Sequence, residues 1–176
     1  MTLASRVAIV SSLSICLLPV LRAGAQSTTR FGLQAGGTIP ISAYASDKHT
    51  GYHLGILVDG QILPPVLGFR FDGVFHELKY AGNSTRDQIW MAGGAVELKV
   101  PTGTRVSPYA VGGVGIYNSH RNLIIATRSS TEGGFSVGGG LRWALTQGAA
   151  FVEARYHHAG GSDGIRMVPI TVGVMF

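Results

Sequence analysis

Cysteine is nearly missing from this chain: the single one, Cys16, falls within the first 25 residues. Once that stretch is removed, disulfides and thiolate metal sites are excluded together. Charge is also sparse, at 13% of residues. Its basic members are dispersed rather than clustered, which argues against a nucleic-acid surface. Beyond residue 25 there is no apolar run of the roughly 20 residues that a spanning helix needs. No segment of useful length carries a 3.6-residue apolar period, so helix content is expected to be near zero. Mean hydropathy is nonetheless positive, at +0.27. An apolar chain without spanning helices can still enter a membrane as a closed barrel, where every backbone group is paired between strands.

The first 25 residues have a layout of their own. Arg6 is a short basic start, residues 7–20 are apolar with Pro19 interrupting, and Ala23-Gly24-Ala25 is a small-x-small site before Gln26. This predicts a secretory signal peptide over 1–25, cleaved after Ala25, and export from the cytoplasm. Residues 26–176 then form one domain, a size that suits a single fold. Losing Arg6 and Arg22 leaves 12 basic against 9 acidic residues, a net charge of +3 instead of +5.

Glycine is abundant instead: 26 residues, roughly twice the usual share of about 7%. Many lie inside alternating segments, as at Gly112, Gly113, Gly115 and Gly138 to Gly140. Such glycines mark sharp bends or close packing in a barrel. Eight strands are predicted, over 30–39, 51–62, 67–80, 87–100, 107–118, 133–145, 149–159 and 167–176. Most reach the 9–11 residues that a tilted strand needs to cross hydrocarbon. Short turns at 63–66, 101–104 and 146–148 alternate with polar connectors at 40–50, 81–86, 119–132 and 160–166. That alternation, with an even strand number, is the arrangement of an eight-stranded antiparallel up-and-down transmembrane β-barrel, all-β, with both termini in the periplasm.

Each strand has one bulky apolar face and one small or charged face. Tyr52, Leu54, Ile56 and Val58 oppose His53, Leu57 and Asp59; Phe69, Phe71 and Phe75 oppose Arg70, Asp72 and His76. A cramped interior needs the small, Gly-rich face, so the apolar face is assigned to lipid. Tyr52, Trp90, Tyr109, Tyr117, Trp143, Tyr156 and Phe176 lie near strand ends, where interfacial girdles are expected. The last strand, Met167 to Phe176, puts Ile170, Val172, Val174 and Phe176 on one side and ends the chain on an aromatic ring.

Gln26, the strand Ser107-Pro108-Tyr109-Ala110-Val111-Gly112-Gly113-Val114-Gly115, the strand Phe151-Val152-Glu153-Ala154-Arg155-Tyr156 and the terminal Val168 to Phe176 together resemble small outer-membrane barrels of the OmpA-like β-barrel superfamily. The likeness covers the whole of 26–176, at the level of pattern. It implies an integral protein of the bacterial outer membrane, contacting outer-membrane lipid and lipopolysaccharide, and a monomer. It also implies an assembly signal at Gly173, Val174 and Phe176 for the barrel-insertion machinery. Val174 departs from the family, which often has an aromatic there. The resemblance is to the barrel part alone, with no peptidoglycan-binding domain expected after it.

The predicted interior offers Asp59, Asp72, Glu97 and Glu153 against Arg70, Lys99, Arg142 and Arg155. Four acids meet four bases in a lumen just wide enough for side chains to fill. Buried charges must be paired, so an ion-pair core that plugs the lumen is expected, with a structural or surface-interaction role and no catalysis. A small pore or transport element is the alternative, and a soluble periplasmic barrel around an apolar ligand the second. An acyl hydrolase would need a serine beside an imidazole and a carboxylate. His157, His158, Ser162 and Asp163 are the nearest set, but Ala159 or Gly160 stands where the lipid A deacylases carry serine. His49 and His53 lack a third metal ligand, and the glycines open no helix to cradle phosphate; no metal or cofactor is expected. Lys48, Arg86, Arg121, Arg128 and Arg166, with His49 and His120, form a basic set in the connectors that would meet anionic groups.

Overall fold

The computed structural model describes residues 29–80, 86–122, 127–160 and 164–176. The expected signal peptide, and Ser162 and Asp163, lie outside them. Eight strands follow in order: β1 (Arg30–Pro40), β2 (Lys48–Leu63), β3 (Leu67–Tyr80), β4 (Arg86–Lys99), β5 (Val106–Asn122), β6 (Thr127–Ala144), β7 (Ala149–Ala159) and β8 (Ile165–Met175). Each pairs antiparallel with the next, and β8 returns to β1 to close the barrel. The seam runs from Gly32↔Met175 to Pro40↔Met167. Beyond it, Phe31 and Phe176 exchange backbone hydrogen bonds of 3.1 and 2.8 Å. Closure leaves no edge strand, which is what a sheet surrounded by hydrocarbon requires. Among the described residues, the 3-10 turn Ser42–Ala45 is the one helical element.

The strands reach further from the short-turn end than alternation alone suggests. The segment 119–132, expected as a long loop, is mostly ladder: pairing continues from Asn118↔Thr131 to Asn122↔Thr127. Polar residues there indicate that the ladder has left hydrocarbon. They do not end it, because backbone pairing is indifferent to polarity. For the same reason β2 starts at Lys48 and includes His49, ahead of the predicted residue 51.

The charged face is inside. Phe71 and Ile56 are 59% and 65% exposed, whereas Arg70 and Glu97 are 1% and 0% exposed. Bulky apolar side chains such as Leu33, Leu54, Val96, Val114, Ile116 and Val172 cover the outer wall. Two aromatics expected in the girdle turn inward instead: Tyr109 and Tyr117 are buried. From Pro108 to Ile116 the residues around Tyr109 on both faces of that strand are apolar or glycine, so its polarity pattern does not assign the tyrosines. Hydroxyl partners do: Tyr109 donates to Glu153 Oε2 at 2.9 Å, and the Tyr117 hydroxyl meets His157 Nδ1 at 2.8 Å. Tyr52, Trp90, Trp143 and Phe176 remain on the outer surface.

Inward glycines make this packing possible. A methyl group added at Gly138 would run into the Ala154 carbonyl, and one at Gly113 into the Gly94 carbonyl. At the outward-facing Gly112 its nearest neighbour would be 3.9 Å away. Gly138→Ala and Gly113→Ala are each expected to destabilise the barrel by about 1–3 kcal/mol, and Gly112→Ala to leave it unchanged. Urea unfolding in lipid vesicles measures the difference.

Candidate functional site

All eight predicted interior charges project into the lumen and are buried. They come from β2, β3, β4, β6 and β7, and Arg70 is their centre. Its Nη2 reaches Glu153 Oε1 at 2.7 Å, its Nη1 reaches Glu97 Oε1 at 3.3 Å, and its Nε lies 3.1 Å from Asp72 Oδ1. Arg155 bridges the same acids, at 3.1 Å to Asp72 and 2.9 Å to Glu153. Arg142 Nη2 joins Glu97 at 2.8 Å and Asp59 at 3.2 Å. Lys99 Nζ stands further off, 3.4 Å from Glu97 and 3.7 Å from Asp59. The guanidiniums of Arg70 and Arg142 also lie over the rings of Phe151 and Tyr109, at 5.4 and 5.3 Å. Every acid thus serves more than one base, a network in which the members neutralise one another.

The sequence does not single out a second polar layer, built from histidines. Thr38 Oγ1 contacts His53 Nδ1 at 3.0 Å and His76 Nδ1 at 2.9 Å, and His53 Nε2 meets Thr171 Oγ1 at 3.0 Å. The His76 and His157 ring centroids are 6.3 Å apart. Their signal was parity, since each shares its strand face with an interior charge. His53, His76 and His157 line a central cavity of about 20 Å³ together with Arg70, Asp72 and Arg155. Towards the loop end an apolar layer follows, including Leu78, Ile89, Tyr117, Ile165 and Met167. Tyr44, from the 3-10 turn, inserts there and donates to Asp87 Oδ2 at 2.9 Å.

The other candidate residues are dispersed. His157 points inward and His158 lies on the outer face, so the two do not converge. His53 is buried while His49 is exposed, with a register shift between His49 and Tyr52. Lys48 does not join the basic surface set. It is buried, with Nζ 4.1 Å from the Tyr44 ring centroid and 4.8 Å from that of Tyr80. Arg86 is exposed and pairs with Glu77 at 2.8 Å. Arg166 donates from Nε to His158 Nδ1 at 3.3 Å. Arg121 and Arg128 are opposite each other in the β5–β6 ladder, and their side chains lie outside what is described. At the terminus, Gly173 leaves room that the Phe151 ring fills, and Phe176 is 66% exposed.

The family model for the outer membrane protein beta-barrel domain matches residues 12–176. The chain belongs to this family. Its fold is similar to that of Neisserial surface protein A, at 19% identity over 86% of this chain and 98% of that one, with a TM-score of 0.72. The N-terminal barrel of Pseudomonas aeruginosa OprF is similar at 15% identity over 86% of this chain and all (100%) of that one, with a TM-score of 0.57. Ail, the attachment invasion locus protein of Yersinia pestis, is similar at 11% identity over 85% and 97%, with a TM-score of 0.51. No curated protein matches the chain. The molecule is therefore an eight-stranded transmembrane barrel of the outer-membrane type. In this class the end with the termini and short turns faces the periplasm.

Removing the central cation would leave Glu97, Glu153 and Asp72 short of charge. Arg70→Met is expected to cost about 3–5 kcal/mol, and Lys99→Met less, because its contacts are longer. Equilibrium unfolding of the two variants in the same vesicles provides the comparison.

Proposed function

We propose that this is an exported, monomeric outer-membrane barrel whose closed polar interior serves a structural or surface-interaction role without catalysis. One observation carries the reading: four bases and four acids, mutually paired, meet across the lumen beneath an apolar layer, around a cavity of only about 20 Å³. A pore would want an open, charge-biased path. A soluble carrier of apolar ligands would want an apolar cavity and a polar exterior, and the outer wall here is apolar. Opposite orientations of His157 and His158 weigh against a serine hydrolase.

Export rests on the leader at 1–25, and delivery to the barrel-insertion machinery on the terminal Gly173, Val174 and Phe176. Contact with lipopolysaccharide is proposed for the loop end, where Arg86 is exposed. Arg121, Arg128 and Arg166 are the further cations assigned to it. The Ail structure solved with the heparin analogue sucrose octasulfate belongs to a protein 13% identical to this one, and supports only that a barrel of this fold can present such a surface.

Planar-bilayer recording tests the closed interior. The purified barrel is expected to give no steady, large single-channel steps, and regular steps would reject the plugged lumen in favour of a pore. Mass spectrometry of lipid A from cells with and without the protein is expected to show identical acyl chains. A lost or gained chain would make it an enzyme.

A further inference from the structure

The two neighbours of β6 cover it to different heights. With β5 it pairs from Val106↔Trp143 to Asn122↔Thr127. With β7 it pairs only from Ala144↔Ala149 to Gly134↔Ala159. One further bond, from the Gly160 N–H to the Gly133 carbonyl at 3.2 Å, ends that contact. Residues 127–132 therefore have a ladder partner on one edge and none on the other among the described residues. They also stand clear of the wall: Ser129, Ser130 and Thr131 are all exposed, although alternate side chains point to opposite faces.

Bond parity identifies the unspent groups. In an antiparallel ladder the N–H and C=O of one residue turn to the same neighbour, and successive residues turn to opposite ones. The Gly133 carbonyl turns to the β7 side, and the Ala144 N–H turns to the β5 side, where it donates to Arg105. Odd-numbered residues of β6 thus bond towards β7 and even-numbered ones towards β5, in a ladder free of register shifts. Ser130 and Glu132 spend their backbone groups on β5. Thr127, Ser129 and Thr131 hold theirs out, beyond the end of β7. Sheets commonly guard such an edge with lysine, proline or a bulge. None of these occurs over residues 127–133.

We infer that the upper edge of β6 docks an extended polypeptide segment by strand addition, outside the cell. This rests on the surface-interaction reading above and gives it a kind of partner. Free N–H and C=O groups at every second residue match the edge of another strand, and the edge positions are small or β-branched and uncharged. Glu132 sets the polarity. Its carboxylate lies beside Gly160 at the membrane-proximal end of the edge, with Oε1 accepting from Ser130 Oγ at 3.1 Å. No base pairs with it among the described residues, so a basic residue at that end of the partner complements it. A second copy of this chain does not fit. Copies in one membrane are related by an axis along its normal. Their β6 strands, tilted about 35–45°, both run inward and cannot meet antiparallel, as two identical edges must.

The test uses the whole barrel refolded in lipid nanodiscs and a fluorescent, end-capped peptide Thr-Val-Lys-Val-Thr-Val. Anisotropy is expected to show saturable binding, and a fully N-methylated peptide of the same sequence none. Ser129→Pro with Thr131→Pro removes two edge donors while leaving the β5 ladder intact, and is expected to weaken binding at least about tenfold. Glu132→Gln is expected to weaken the lysine peptide several-fold but not one with norleucine in its place. Heat-modifiable gel migration reports folding. Should the proline variant fail to fold, amide exchange by NMR on the wild-type barrel decides. Ser129 and Thr131 are expected to exchange quickly beside slow Ser130 and Glu132, and to slow at least about tenfold once peptide is bound. No saturation, equal binding of the N-methylated peptide or by the folded proline variant, or Ser129 and Thr131 amides unaffected by peptide would each overturn the docking edge. So would a dimer, formed without peptide, that the proline variant abolishes. Those results would leave the plugged lumen and the absence of catalysis standing, because bilayer recording and lipid A analysis test them separately.

Discussion

Ionised groups in a narrow lumen must neutralise one another, and most of this barrel's interior follows from that requirement. Arg70 touches three carboxylates from β3, β4 and β7, so strands distant in sequence are held at a common centre. Moving an isolated carboxylate or guanidinium out of water is prohibitive, whereas a network in which each acid faces two or more bases is tolerable. The same requirement explains the glycines. Guanidiniums and aromatic rings need space, and a register partner without a Cβ supplies some of it. Gly140 beside the Tyr109 hydroxyl and Gly173 beside Phe151 are two such places.

Lipid on the outside imposes the complementary demand. Since hydrocarbon offers no hydrogen bonds, the sheet closes on itself, and the terminal residue is drawn into the seam through paired backbone bonds with Phe31. The two demands act on alternate residues of every strand. A one-residue slip would expose charges to lipid and bury the bulky aliphatics in the lumen, so register is strongly specified. The layers along the axis then differ in chemistry. An ionic network and a histidine layer fill the middle, and an apolar layer with Tyr44 lies below the loops.

Much of this was legible from residues alone where one face was plainly charged. On β3 and β7 the strand limits matched the alternation at both ends, and the charges on one face, Arg70 and Asp72 on β3 and Glu153 and Arg155 on β7, marked it as inward. On β5 the stretch from Pro108 to Ile116 is apolar or glycine on both faces, and the inward turn of Tyr109 and Tyr117 was not legible. A tyrosine suits an interfacial girdle and a polar core equally well, and only a hydroxyl partner on another strand decides. The stretch 119–132 was misjudged for a related reason: polarity records the solvent a residue meets, not whether its backbone is paired. Lys48 looked like a loop cation, and its place over Tyr44 depends on a 3-10 turn folding across the barrel mouth.

By itself the amino-acid order determined the strand count, the alternation that puts bulky apolar side chains on the wall, and the inventory of four acids and four bases. These are local properties, carried by a period of two and by residue type. Which acid serves which base, which tyrosines turn inward, and the meeting of His53, His76 and His157 were decided only by the closed barrel. Closure and strand register bring residues tens of positions apart within hydrogen-bond range, and no local pattern encodes that distance.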